Sequence, residues 1–522
     1  MCGIVGQVCV RENSVGKNCT PDPELGRRMQ ARLIHRGPDD AGEKLLPHAW
    51  LGHRRLSIVD VSGGKQPLHT ADEQVFLVGN GEIYNFETVQ AGLEGPWLTK
   101  SDNEVALHLV QQKGPDALKE MEGMFAVLIA GIDGSFLAAR DPVGIKPLFW
   151  ACRDDMVLFA SEMHAFDLDW QADVELFPPG HYWTPATGLV RFASAVRTTG
   201  NAAKALDAWT VDEIGATPPP EGVLAEIRDR FILSVEEQML GDVPVGVFLS
   251  GGLDSSLVAA VAARWCQRRG QTLQTFAVGT EGSSDILAAR AVAEFLGTEH
   301  REHVYTAEEA WDVLPGVVSS IESFDPSLVR SAVANYLLAE FTSRHVKVVL
   351  TGEGADELFA GYAYYEEYRD EGALHDELVR SVEGLHSLNL QRCDRVTMAH
   401  GLEARVPFLD THMIELGLAL PETAKLAGND KPEKYLLRMA FDGWVPEDVL
   451  WRGKIQFGDG SGASEVIKQR AEESVTDEEF AEICAEVEPP LRTKEEAAYY
   501  RMFRTCLPAV RPEKTISRFA TA

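Results

Sequence analysis

The chain has 522 residues, 45% of them hydrophobic, which suits two or three globular domains. A net charge of −31, from 80 acidic and 49 basic residues, excludes general nucleic-acid binding, which needs a basic face to meet phosphates. There is no run of about 18 apolar residues, so no membrane-spanning helix is expected.

The chain begins Met-Cys-Gly-Ile-Val-Gly, with no basic segment before an apolar core, so no secretory signal is expected and the compartment expected is the cytoplasm. Cysteines at 2, 9, 19, 152, 266, 393, 484 and 506 form no Cys-x-x-Cys pair and predict no disulfide framework; most read as buried, inert thiols. Strand-like runs at 74–79, 125–130, 136–139 and 156–160 are broken by Gly and Pro, and 24–33 and 103–113 read as helices. Residues 194–221, with Thr-Thr-Gly-Asn and Thr-Pro-Pro-Pro, read as a linker and its edges. Beyond it a helix over 222–239, a strand over 243–249, a helix over 257–269 and a strand over 272–278 alternate as in a parallel α/β sheet. A further strand over 345–350 ends at Thr-Gly-Glu-Gly, and the pattern past 360 is mostly helical, without internal repeats.

Cys2 becomes residue one once the initiator methionine is removed. A free α-amine, with an ordinary pKa of about 7.7–8.0, can take the thiol proton and later return one to a leaving amine. Downstream stand Arg55, Asn80-Gly81-Glu82 and Asp102. A free glutamine has a carboxylate for an arginine, an ammonium for an aspartate, and a carboxamide whose tetrahedral oxyanion an Asn side chain and a Gly N–H can hold. Alone, Asn80-Gly81 reads as a hairpin turn and Arg55 or Asp102 as a surface charge. Their presence together with Cys2 favours the chemical reading. Met-Cys-Gly-Ile-Val-Gly, His35-Arg-Gly-Pro-Asp39, Arg55-Leu-Ser-Ile-Val-Asp60, Asn80-Gly-Glu-Ile-Tyr-Asn85 and Arg140-Asp-Pro-Val-Gly-Ile-Lys-Pro-Leu148 resemble class II glutamine amidotransferase domains. That resemblance implies an αββα sandwich of the N-terminal-nucleophile (Ntn) hydrolases. It makes Cys2 the nucleophile that forms a γ-glutamyl thioester, Asn80 and Gly81 the oxyanion hole, and Arg55, Asn80, Glu82 and Asp102 glutamine ligands.

The string Ser250-Gly251-Gly252-Leu-Asp254-Ser255-Ser256 lies between a strand and a helix, where backbone N–H groups, hydroxyls and a helix N-terminus favour phosphate. It is not a Walker A loop and resembles the pyrophosphate loop of ATP pyrophosphatases, which cut ATP between its α and β phosphates. Such a cut activates a carboxylate as an acyl-adenylate, from which AMP leaves when ammonia attacks. Asp254 and Asp356 are the candidate Mg²⁺ ligands, and Lys454 is the candidate cation for the phosphates.

With Thr351-Gly-Glu-Gly-Ala-Asp-Glu357, Gly361-Tyr362, 401–410, Lys434 and Lys454, nearly the whole chain resembles the asparagine synthetase B family. The resemblance implies an α+β sandwich domain over 2–195, a linker over 196–221, and an α/β parallel-sheet domain with a largely helical C-terminal part over 222–515. By it, Ser250, Gly251, Gly252, Asp254, Ser255 and Ser256 hold pyrophosphate and Mg²⁺, and Leu249 and Val278 flank adenosine. Gly352, Lys434 and Lys454 complete the ATP side, Glu353 assists ammonia attack on a β-aspartyl-AMP, and Tyr362 and Arg330 belong to the acceptor side. The substrates implied are ATP, L-glutamine and L-aspartate, with Mg²⁺ as cofactor and neither nucleic acid nor membrane as partner; a homodimer is left open. The family's segment around that arginine is Thr-rich and ends Ala-Ser-Thr-Pro, whereas this chain reads Pro-Ser-Leu-Val-Arg330-Ser-Ala-Val-Ala334. The same two half-reactions aimed at another carboxylate are therefore the alternative, and an idle regulatory homologue is a third reading. A β-lactam synthetase is disfavoured, because Cys2 and the glutamine ligands are intact. The acidic surface fits either salt adaptation or plain solubility.

Overall fold

Strands with one apolar face must bury it, and in the N-terminal half two sheets do so against each other. The computed structural model describes residues 2–10, 19–196, 219–368, 373–428, 431–453 and 464–519. Its first strands are β1 (Cys2–Cys9), β2 (Asp40–Leu45), β3 (Ala49–Arg55), β4 (Leu68–His69), β5 (Val75–Ile83) and β6 (Gly123–Gly131). They are followed by β7 (Phe136–Arg140), β8 (Phe149–Arg153), β9 (Met156–Ala160), β10 (Val174–Leu176), β11 (His181–Thr184) and β12 (Gly188–Arg191). The two antiparallel sheets run β10-β8-β9-β1-β3-β2 and β12-β11-β7-β6-β5-β4. Between them Ile4, Val8 and Phe159 of one meet Val78, Leu128 and Phe136 of the other. On the outer face of the first sheet, the helix Pro23–Arg32 buries Leu25 and Met29 with Val5 and Trp50. The helix Glu104–Lys113 covers the second, with Val105 and Leu109 beside Phe125 and Val127. The layering is the expected αββα sandwich.

The second half is built on five parallel strands, β13 (Val245–Phe248), β14 (Gln274–Gly279), β15 (Glu299–Val304), β16 (Val348–Leu350) and β17 (Glu403–Arg405), in the order β15-β14-β13-β16-β17. These strands are short and carry the helices Leu253–Arg268, Ser284–Leu296 and Pro326–Ser343 in their crossovers, as parallel pairing demands. From Ala355 the chain is mainly helical.

Several expectations change. Strand β5 runs through to Ile83, so Asn80 and Gly81 lie inside a strand and not in a hairpin turn. The helix expected from 257 starts at Leu253, which places Asp254, Ser255 and Ser256 in its first turn. The strand expected over 345–350 shortens to Val348–Leu350, because His345 and Val346 donate to Thr342 O at the end of the preceding helix. Against the expectation of no disulfide, Cys9 and Cys19 are bonded, the end of β1 bringing their Cα atoms to 5.7 Å. Nor are the remaining thiols uniformly buried: Cys152 is exposed and Cys484 and Cys506 are half-buried. Most of the expected linker, and Lys454, lie outside the described residues.

Candidate active site

Two clusters, one on each half, carry the chemistry. In the first, β1 pairs with β3 so that Cys2 lies opposite Arg55. The main-chain nitrogen of Cys2 donates to Asn80 Oδ1 at 2.8 Å, which turns the other end of that amide, Nδ2, away from the strand. Nδ2 is buried and has no hydrogen-bond partner in the protein. A buried donor left unmade costs about 1–3 kcal/mol, and this one stands beside the Cys2 main chain. Gly81 follows at φ +141°, and a Cβ there would lie 1.9 Å from Met124 O on β6. Only glycine fits. Asn103 Nδ2 donates to Gly81 O at 3.0 Å and fixes that peptide.

Arg55 is buried, and its guanidinium donates to the carbonyls of Val59, Asp60 and Val61 at 3.3, 2.7 and 3.2 Å. The same loop meets the Asp102 segment, since Lys100 N donates to Asp60 Oδ2 at 2.8 Å. Asp102 accepts from Ile83 N at 2.7 Å, yet burial pushes its carboxyl up to about 6. Glu82 is pushed well above the usual carboxylate range by burial and by neighbouring Asp102 and Glu403, against the pull of Arg405. Burial also raises the Cys2 thiol. A thiol held protonated needs a base before it can attack.

In the second cluster the turn after β13 forms a hydroxyl-lined cradle. Ser250 Oγ and Ser255 Oγ lie 2.9 Å apart, and Ser256 Oγ donates to Gly252 O at 2.7 Å. Gly251 has φ +74°, and Leu249 and Val278 are buried beside it at the ends of β13 and β14. The turn after β16 packs on this cradle: a Cβ on Gly352 would stand 2.8 Å from Asp254 Cβ. Buried Lys434 spans both turns, 2.6 Å from Asp254 Oδ2 and 2.7 Å from Asp356 Oδ1. Those two carboxylates raise its ammonium above the usual lysine range. Carboxylate and hydroxyl oxygens beside a phosphate cradle are the hard donors that Mg²⁺ takes, so the residues fit that ion.

Glu353 pairs with Arg392, whose other nitrogen donates to Ser331 Oγ at 2.9 Å. Tyr362 donates to Glu357 Oε1 at 2.8 Å, and Asn389 Nδ2 lies 3.2 Å from the same hydroxyl. Burial and the neighbouring Asp356 raise Glu357 to about 7. Arg330 lies 2.6 Å from Glu495, and the next residue, Ser331, accepts from the Arg392 of the Glu353 pair. Arg452 donates to Gly251 O at 3.4 Å and so ties the chain just before Lys454 to the cradle.

Sequence reasoning missed the groups that join the clusters. Arg36 Nε donates to Cys2 O at 3.0 Å, and its guanidinium pairs with Glu162 and with Asp394 of the second half. Arg405 stands 3.6 Å from Glu82, and Lys146 Nζ lies 3.5 Å from Ala404 O. The signal was the same strings, 35–39, 140–148 and 401–410, quoted as motifs but not seen as two sides of one seam.

Comparison with known proteins follows this division. A glutamine amidotransferase domain model matches residues 1–185, and an asparagine synthase model matches 226–371 and 366–515. A probable glutamine-hydrolysing asparagine synthetase of Schizosaccharomyces pombe is 37% identical, over 96% of this chain and 92% of its own length. A second, from Dictyostelium discoideum, is 36% identical over 94% and 92%. An asparagine synthetase of Oryza sativa is 37% identical over 96% of this chain and 84% of its own.

Proposed function

The chain belongs to the asparagine synthase family, and from that premise we propose how its residues divide the work of glutamine-dependent asparagine synthesis. The reaction turns ATP, L-aspartate, L-glutamine and water into L-asparagine, AMP, diphosphate and L-glutamate. The observation that carries the assignment is the buried, unpartnered Nδ2 of Asn80 beside Cys2.

Once Met1 is removed, the α-amine of Cys2 takes the thiol proton, and the sulfur attacks the glutamine carboxamide. Asn80 Nδ2 and Gly81 N–H hold the oxyanion, and the amine returns the proton to the departing ammonia. Arg55 orients the glutamine carboxylate, and Asp102, with Glu82, takes its ammonium. Water then releases glutamate from the thioester.

In the second half Ser250, Gly251, Gly252, Ser255 and Ser256 grip the pyrophosphate, and Leu249 and Val278 face the adenosine. Lys434, Gly352 and, outside the described residues, Lys454 complete that grip. Asp254 and Asp356 would hold Mg²⁺, which supplies charge neutralisation for the leaving pyrophosphate. Glu353 takes a proton from ammonia as it attacks the adenylate, with Arg392 setting its orientation. Tyr362 and Arg330 belong to the acceptor side, where Ser331 is the group nearer to Glu353. The domain limits 2–195 and 222–515 and a cytoplasmic setting complete this reading, with a homodimer left open.

Cys2→Ala tests the division of labour. The variant is expected to lose glutamine-dependent synthesis more than a thousandfold and to keep synthesis from free ammonium. Loss of both activities in a folded variant would contradict it. AMP release stimulated by L-aspartate, and by no other acid, checks the acceptor.

A further inference from the structure

Outside both clusters, at the seam between the halves, two imidazoles and a carboxylate converge. His35 Nε2 lies 2.9 Å from Glu162 Oε2, and His164 Nε2 lies 3.4 Å from the same oxygen. The three ligand atoms all fall within 4.8 Å of one another. The imidazoles are 28% and 25% exposed and the carboxylate between them is buried.

The surroundings orient each group. His164 Nδ1 lies 2.9 Å from Oε1 of fully buried Glu322, whose two oxygens also accept the backbone N–H groups of Met163 and His164 at 3.0 and 2.7 Å. A carboxylate on Nδ1 is the arrangement found behind metal-bound histidines, and Nε2 faces Glu162 Oε2 and, at 3.2 Å, the carbonyl oxygen of Arg32, the position a ligand would have to take over. Glu162 is divided in the same way: Oε1 takes the guanidinium groups of Arg36 and Arg395, and Oε2 faces the two rings. Two imidazoles and one carboxylate make the protein ligand set of an open zinc site.

We propose that His35, His164 and Glu162 bind one first-row divalent cation of the zinc class. The cation would sit where the two rings now face Glu162 Oε2. The consequence reaches the glutaminase cluster through one residue: Arg36 follows His35, shares Glu162 with the cation, and donates to Cys2 O. Occupancy therefore competes for the carboxylate that holds Arg36 against the nucleophile strand.

The full-length protein on a Cys2→Ala background, which removes the nucleophilic thiol as a competing metal ligand, is titrated with Zn²⁺ by calorimetry and with Co²⁺ by visible absorption. Excess Mg²⁺ is present throughout to fill oxygen-only sites. One equivalent is expected to bind, and His35→Gln and His164→Gln are each expected to weaken binding at least tenfold. Glu322→Gln should weaken it about tenfold to a hundredfold, as loss of an orienting carboxylate does. Zn²⁺ should raise the unfolding midpoint of the parent and not of the two histidine variants, which separates site loss from misfolding. Absence of binding, or binding unchanged in both histidine variants, overturns the proposal.

Discussion

Asn80 does two jobs with the two ends of one amide, and they can be separated. Oδ1 holds the Cys2 main chain at 2.8 Å, while Nδ2 is buried without a partner and is the oxyanion donor we propose. Asn80→Ala removes both and is expected to lower glutamine-dependent kcat by about 10²–10³, the usual loss for one oxyanion donor. The KM for glutamine should change much less; steady-state glutamate release checks this. Asp102 has the opposite character, since burial pushes its carboxyl to about 6 and the ammonium of glutamine needs it charged. The glutamine kcat/KM is therefore expected to fall as pH drops below about 6, and the ammonium-dependent reaction to lack that limb. The stability sign runs the other way. A carboxyl raised in the folded state contributes stability below its unfolded value near 4, and loses that contribution as pH rises through about 6. Asp102→Asn should therefore unfold at a higher temperature than the parent at pH 8, by up to about 3 kcal/mol, while losing glutamine turnover. A parallel shift of both proteins between pH 5 and pH 8 would remove burial of charge as the cause.

At the scale of elements, the cradle depends on a backbone turn that no side chain replaces. Gly251 stands at φ +74°, and a Cβ there would come within 2.6 Å of both Ala288 Cβ and Ala289 N. Gly251→Ala must strain the turn or push the helix Ser284–Leu296 aside, and the left-handed conformation alone costs about 1–2 kcal/mol. ATP-dependent AMP release is expected to fall at least tenfold, with glutaminase turnover within about twofold of the parent. Equal losses in both would mean that the halves are not separately built. The turn was legible because its chemistry is local: seven consecutive residues announce a strand, a phosphate turn and a helix. The oxyanion pair was legible as residues but not as an element, since Asn80-Gly81 has the local signature of a hairpin turn. Strand β5 keeps them extended because nine consecutive residues pair with β6, and tertiary pairing overrides the turn preference. Arg330 and Ser331, neighbours in sequence, take different partners. One step along a helix is about 100°, enough to send the Arg330 side chain to Glu495 and leave Ser331 facing Arg392.

At the scale of the molecule, the two half-reactions are joined by charges buried at the seam. Fully buried Arg36 contacts Cys2 O, Glu162 and Asp394, and Lys146 lies 3.8 Å from the same Asp394. Nothing local in the sequence announces these pairs, because Arg36 and Asp394 are 358 residues apart and each alone reads as a surface charge. Buried pairs of this kind add little net stability when complete, but removing one partner leaves a charge without compensation and costs about 3–5 kcal/mol. Asp394→Ala leaves Arg36 with Glu162 as its remaining carboxylate and removes a partner from Lys146, so denaturant unfolding should report a loss of up to that order. Asp394→Asn keeps one of the two acceptors that Arg36 uses and should lose less. Asp394 also lies on the helix Asn389–Met398, two residues from the Arg392 that holds Glu353. A shift of this helix reaches both clusters, so ammonia made at Cys2 should escape more often before it meets the acyl-adenylate. Glutamate released per asparagine formed is then expected to rise clearly above one in Asp394→Asn. A ratio unchanged from the parent would confine the seam to a structural role.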